Sequence, residues 1–252
     1  MLSAQSLTKS FGGNRAVDDV SFTIDEGTIT GLIGPNGAGK TTLFNCLAGL
    51  FPPTSGRLTL DGNRVDGLSP DRIFARGLAR TFQIPRPFPE MTVLENVLVA
   101  PRGQHGERFW ANWLTPSRVA AEERALIDEA RRWIAFVGLT HLVDQPARVL
   151  SGGQRKLLEL ARVLVAKPRL ILLDEPGAGV NPTLLEMIVE RIAALNRQGV
   201  TFLIIEHNMD LVTSLCRPVM VMAQGRLLTT GDAGEVSRDP RVIEAYLGGA
   251  IA

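Results

Sequence analysis

The sequence predicts an α/β fold built on a largely parallel sheet covered on both faces. Three observations predict it. Short apolar, strand-like runs alternate with helical spacing through the second half of the chain. A glycine-rich loop, Gly34 to Gly39, runs from a strand straight into a helix. Four apolar residues, Leu170–Leu173, end in the carboxylates Asp174 and Glu175. Such alternation puts helices over both faces of a parallel sheet.

Taken in order, the opening reads as strands. Val17, Ser21–Ile24 and Thr28–Ile33 are rich in β-branched residues and are broken at Asp25-Glu26-Gly27. The helix after the glycine loop stops at Gly49, and Arg57–Leu60 is a short strand ended by Asp61-Gly62. From Ile84 to Asn96 the chain carries three prolines and then a short helical pattern. Pro101 to Thr115 is irregular, with Trp110 and Trp113 expected to pack onto the neighbouring helices. Ala120–Val137 reads as a helix, so that roughly 84–150 forms a mostly helical insertion between two halves of an α/β core. Arg155–Ala166 is the next helix, then the strand Leu170–Leu173. A helix through Leu184, Ile188, Ile192 and Leu195 is closed by Gly199, and strands follow at Thr201–Ile205 and Val219–Met222. A short helix docked on the core is expected near the C-terminus.

Composition removes several classes. With Lys+Arg 27 against Asp+Glu 26, the chain has no field of one sign with which to hold nucleic acid. Cys46 and Cys216 lie far apart in no metal-binding spacing, so both are expected to be reduced core residues. Met1 to Ser10 lacks the pattern of a signal peptide, and the apolar runs are too short to span a bilayer. Any membrane role is therefore expected to come through a partner.

Three elements carry chemistry. Gly34-Pro35-Asn36-Gly37-Ala38-Gly39-Lys40-Thr41 is GxxxxGK[ST] between a strand and a helix. Glycines let the backbone wrap phosphate oxygens, and the helix start adds positive potential. Lys40 is expected at the β/γ-phosphates and Thr41 on Mg²⁺. Asp174, at the carboxyl end of its strand, is placed to hold the Mg²⁺ complex, and Glu175 to orient or deprotonate a water for in-line attack. Leu150-Ser151-Gly152-Gly153-Gln154 precedes a helix, with Ser151 as a cap and two glycines leaving amides open. On its own, this third element is equally well read as an ordinary cap.

In combination the elements resemble the ATP-binding cassette (ABC) ATPases. A phosphate loop, then Gln83, LSGGQ at Leu150–Gln154, hydrophobic-Asp-Glu and His207 occur in that order across nearly the whole chain. LSGGQ is that family's most specific mark. The resemblance implies an α/β phosphate-loop NTPase core with an N-terminal antiparallel β part and an inserted helical subdomain. Residues 1–83 and 160–252 would form the ATP-binding core and 84–159 the helical and signature subdomain of one ABC ATPase domain.

It also implies roles. Phe11 would stack on adenine with Val17 nearby, and Asn36, Gly37, Ala38, Gly39, Lys40, Thr41 and Thr42 would cradle the phosphates. Ser151, Gly152, Gly153 and Gln154 would meet the nucleotide held by a partner cassette. Gln83 would sense Mg²⁺ and the attacking water, and His207 would contact the γ-phosphate and hold Glu175. The implied cofactors are ATP and Mg²⁺. The implied partners are a second ABC ATPase subunit, as homo- or heterodimer, two integral membrane permeases and, indirectly, an external solute-binding protein; nucleic acid is not among them. The implied location is the cytoplasmic face of the cell membrane. In the loop after Glu175, Asn181 stands where the family commonly has Asp.

Within the family, Gly179-Val180-Asn181-Pro182, the stretch Pro101–Ser117 and the end Asp239–Gly248 resemble the ATPases of bacterial importers of branched-chain or other hydrophobic amino acids. ATPases of lipopolysaccharide export share a similar core, but carry Asp in place of Asn181 and lack so long an insertion. A soluble, non-transport cassette ATPase is the other alternative.

Overall fold

The computed structural model describes residues 1–81, 85–101, 110, 113 and 115–248. In chain order the elements are β1 (Leu2–Phe11), β2 (Asn14–Ile24), β3 (Ile29–Ile33), α1 (Lys40–Leu47), β4 (Ser55–Leu60), β5 (Asn63–Arg64), α2 (Pro70–Phe74) and β6 (Leu78–Arg80). There follow α3 (Val93–Leu98), α4 (Pro116–Phe136), α5 (Gly152–Leu164), β7 (Leu170–Asp174) and α6 (Pro182–Arg197). The chain continues with β8 (Thr201–Ile205), α7 (Met209–Leu215), β9 (Val219–Ala223), β10 (Arg226–Gly231), α8 (Ala233–Val236) and α9 (Pro240–Gly248).

Two compact units result. The first comprises Met1–Gln83, Pro168–Ala178 and Ile192–Ala252, the second Ile84–Lys167 and Gly179–Arg191. The boundary read at 159/160 falls inside α5, a continuous capped helix that stays whole in the second unit. Helix α6 begins in the second unit and ends in the first.

The first unit holds two sheets. One is antiparallel, in the order β2-β1-β4-β5; the other has six strands in the order β10-β9-β3-β8-β7-β6. In the latter β9, β3, β8, β7 and β6 pair in parallel, and only the edge strand β10 is antiparallel. Every residue of β3, β7, β8 and β9 is buried. That two-sided burial is why these strands read as unbroken apolar runs. Helix α1 contributes Leu43, Phe44 and Leu47 to a core shared with both sheets, all three fully buried. Each such side chain contributes roughly 1.5–3 kcal/mol.

The second unit is helical. Thr92 and Glu95 form a capping box on α3, with Glu95 N–H donating to Thr92 Oγ1 at 3.1 Å. Asn96, fully buried, takes the N–H of Phe88 at 2.8 Å and donates to the carbonyls of Phe88, Met91 and Thr92. One amide thus ties the proline-rich segment to α3. Helix α4 starts at Pro116, four residues before the sequence reading, because proline suits the first helical position. Trp110 and Trp113 are 70% and 81% exposed, contrary to the expected packing.

Candidate functional site

The phosphate loop is shaped from outside itself. Gly34 has φ +150° and Gly39 φ +95°. A Cβ on Gly34 would lie 2.0 Å from the Met222 carbonyl oxygen, and one on Gly39 2.1 Å from that of Ala16. Both positions are therefore closed to any side chain. Gly37 also has positive φ, +77°, but faces open space. No side chain caps α1, so its first-turn amides are available to an anion. A cavity of about 510 Å³ opens there, lined by Asn36 through Thr42, Glu175 and His207. Asn14, Arg15, Ala16, Gln224 and Gly225 complete it, and none of these five was picked out from sequence.

Lys40 is buried, and its Nζ donates to the carbonyls of Gly34 at 2.7 Å and Pro35 at 2.9 Å. An ammonium has three donors, so one remains for a phosphate oxygen. Burial lowers its pKa, and the carboxylates of Glu175 and Asp174 oppose that shift.

At the ends of β7 and β8 the acidic pair and the histidine meet. His207 Nε2 lies 2.8 Å from Glu175 Oε1. Glu175 sits at φ +50°, a left-handed conformation that costs a non-glycine residue about 1–3 kcal/mol. It is held there by its N–H on the Ile205 carbonyl at 2.9 Å. Strained backbone pinned at a cavity wall is the kind of feature that accompanies function.

Asp174 is buried and bonded to Arg80, whose Nη2 lies 2.9 Å from Oδ2. Burial pushes the Asp174 carboxyl above its ordinary pKa, and Arg80 pulls it back down. The same guanidinium bonds Asn45 Oδ1 of α1 and lies over the Phe44 ring. Sequence reasoning missed Arg80 as a site residue. The available signal was a charged residue ending the short apolar run Leu78-Ala79.

Several expected residues fall elsewhere. Gln83 lies outside the described residues. Val17 is fully buried in the core, and its neighbour Ala16 lines the cavity. Phe11 is 46% exposed near the β1–β2 turn, edge-on to Phe51, with Lys9 Nζ 5.0 Å from its ring centroid.

The signature residues belong to the second unit. Ser151 Oγ accepts the Gln154 N–H at 3.3 Å, and Gln154 Oε1 accepts the Ser151 N–H at 2.9 Å, a reciprocal cap that starts α5 at Gly152. Gly152 is open, but Gly153 is buried; a Cβ on it would meet Leu184 Cδ2 at 2.1 Å. A side chain at Gly153 therefore has no room beside Leu184. Asn181 Oδ1 accepts the Leu184 N–H at 2.9 Å and caps α6. Capping needs only an acceptor oxygen, which Asn supplies as well as Asp.

A strand–glycine loop–helix beside an acidic strand end defines a phosphate-loop nucleotide-binding enzyme. Comparison with known proteins narrows this. Residues 17–178 match the pattern of the ABC transporter family, and residues 226–252 match that of the branched-chain amino acid ATP-binding cassette transporter. The chain belongs to the ABC transporter family, as its ATP-binding, ATP-hydrolysing subunit. It is 41% identical to the probable branched-chain amino acid transport ATP-binding protein LivG of Archaeoglobus fulgidus, over 98% of this chain and 95% of that one. It is 42% identical to the high-affinity branched-chain amino acid transport ATP-binding protein LivG of Escherichia coli, over 99% and 98%. Among solved structures, a nucleotide-free ATP-binding cassette from an ABC transporter superposes with a TM-score of 0.85 at 35% identity, covering 97% of this chain and 98% of that one. Among the described residues no helix is long and apolar enough to cross a membrane.

Proposed function

We propose that this chain powers the import of branched-chain amino acids, as a peripheral ATPase on the cytoplasmic face of the cell membrane. The observation that carries this reading is the match of residues 226–252 to the branched-chain pattern, on a chain collinear with the LivG proteins. Its partners would be a second cassette subunit and two membrane permeases, with an external binding protein delivering the solute.

Lys40 and the loop amides hold the β- and γ-phosphates of ATP, and Phe11 offers its ring to the adenine. Glu175 Oε takes the proton of the attacking water as its oxygen bonds to the γ-phosphorus and the bond to the β-phosphate oxygen breaks. His207 fixes the Glu175 carboxylate and faces the γ-phosphate. Ser151 to Gln154 serve the nucleotide of the partner cassette. Thr41 and Asp174 are oxygen donors, the set that a hard divalent cation takes. That fits Mg²⁺, which relies on phosphate oxygens and water for most of its shell. When bound it neutralises charge developing on the phosphates. Gln83 is proposed to join it.

The test is purification of the tagged chain from gently solubilised native membranes. Two permeases, a second cassette ATPase and an amino-acid-binding protein are expected. Lipopolysaccharide-bridge components, or no membrane protein, would reject the importer.

A further inference from the structure

We infer that Glu206 is the positioning residue that locks Glu175 and His207 into one geometry; the inference rests on reading Glu175 as the base. Glu206 directly follows β8 and is 3% exposed. Its Oε1 accepts the Gly177 N–H at 2.7 Å. Its Oε2 accepts the N–H of His207 at 2.9 Å and of Asn208 at 3.1 Å. A buried carboxylate is costly unless its oxygens are satisfied, and here both are, by main-chain amides.

The placement of those amides gives the carboxylate its role. Gly177 lies two residues past Glu175, in the turn leaving β7. His207 and Asn208 begin the turn leaving β8. Glu206 therefore staples the two turns together from behind, beside the main-chain bond from Glu175 N to the Ile205 carbonyl. Glu175 and His207 line the phosphate cavity; Glu206 does not. It acts through them, by fixing the left-handed Glu175 backbone and the approach of the imidazole. Asn208 extends the arrangement, since its Oδ1 accepts the Asp210 and Leu211 N–H groups and caps α7.

Charge is needed as well as shape. Three N–H donors converge on two oxygens. A glutamine would turn one acceptor into an NH₂ facing a donor.

The experiment compares the full chain with Glu175→Gln, Glu206→Gln and Glu206→Asp. ATP turnover, ATP binding and melting temperature are measured on each. Misplacement of reacting groups by about 1 Å costs about 100-fold. Glu206→Gln is accordingly expected to lower kcat about 100-fold with KM for ATP within about twofold. Glu206→Asp, which keeps both acceptors, is expected to recover part of that loss with a melting temperature near that of the parent. An unchanged kcat in Glu206→Gln overturns the inference. So does a loss of kcat in step with ATP affinity and melting temperature in both variants, which marks a purely structural role. Normal turnover in Glu175→Gln instead removes the base assignment, and the inference falls with it.

Discussion

His207 Nε2 stands 2.8 Å from Glu175 Oε1, at the ends of two adjacent parallel strands. The bond leaves a carboxylate and an imidazole sharing one wall of the phosphate cavity. Glu175→Gln keeps the shape and removes the base. Hydrolysis is expected to fall about 10²- to 10⁴-fold, with ATP binding preserved and a closed dimer trapped. Phosphate release and nucleotide retention on one sample check it, and a normal rate rejects the role of Glu175.

In the proposed role, Lys40 would give phosphate charge-assisted hydrogen bonds worth about 1.5–3 kcal/mol. Lys40→Ala is expected to weaken ATP binding by about 10- to 100-fold. Titration with a fluorescent nucleotide reads this directly. Unchanged affinity would count against the phosphate-loop assignment.

Arg80 and Asp174 form a buried pair, and removing one partner leaves a buried charge uncompensated. Arg80→Met is expected to cost about 3–5 kcal/mol at neutral pH. The sign with pH follows from the carboxyl, which burial already holds above its ordinary value. Without Arg80 it rises further. The stability deficit is then smallest below the unfolded pKa, where Asp174 is protonated in both states, and grows as pH rises through the folded value. Urea unfolding of parent and variant at acid and neutral pH should show the gap widening. A constant gap would show that another contact of Arg80 dominates.

The glycines of the loop should separate cleanly. Gly37→Ala adds a methyl in open space and is expected to cost only the left-handed backbone, about 1–2 kcal/mol. Gly34→Ala drives a Cβ into a main-chain carbonyl and should abolish nucleotide binding. Equal effects of the two substitutions would mean that the loop is not held against β9.

Burial pushes the Cys46 thiol up to about 11 and that of Cys216 up to about 12. Neither forms appreciable thiolate at neutral pH. Alkylation is expected to be negligible in the native protein and to modify both cysteines in denaturant. Rapid native labelling would show that one of them is accessible.

Motifs whose chemistry resides in contiguous residues were legible in the sequence. The phosphate loop, the Asp174-Glu175 strand end and the signature cap can be read because glycine conformation and strand burial leave local marks. The fully buried strands were legible for the same reason. β6 and β10 were not: one has three residues, and the other is an edge strand of mixed burial. Arg80 and Glu206 escaped because their meaning depends on which strands lie side by side. Arg80 meets Asp174 across 94 positions, and Glu206 meets Gly177 across 29.

The collisions that forbid a side chain at Gly34 and Gly39 come from the carbonyls of Met222 and Ala16. Those oxygens belong to the main chain and are present whatever residue occupies positions 222 and 16. A substitution there cannot withdraw the obstacle. Second-site suppressors of Gly34→Ala or Gly39→Ala should therefore be absent from both facing positions. Genetically, neither glycine can be compensated by changing the side chain of the residue whose carbonyl it faces.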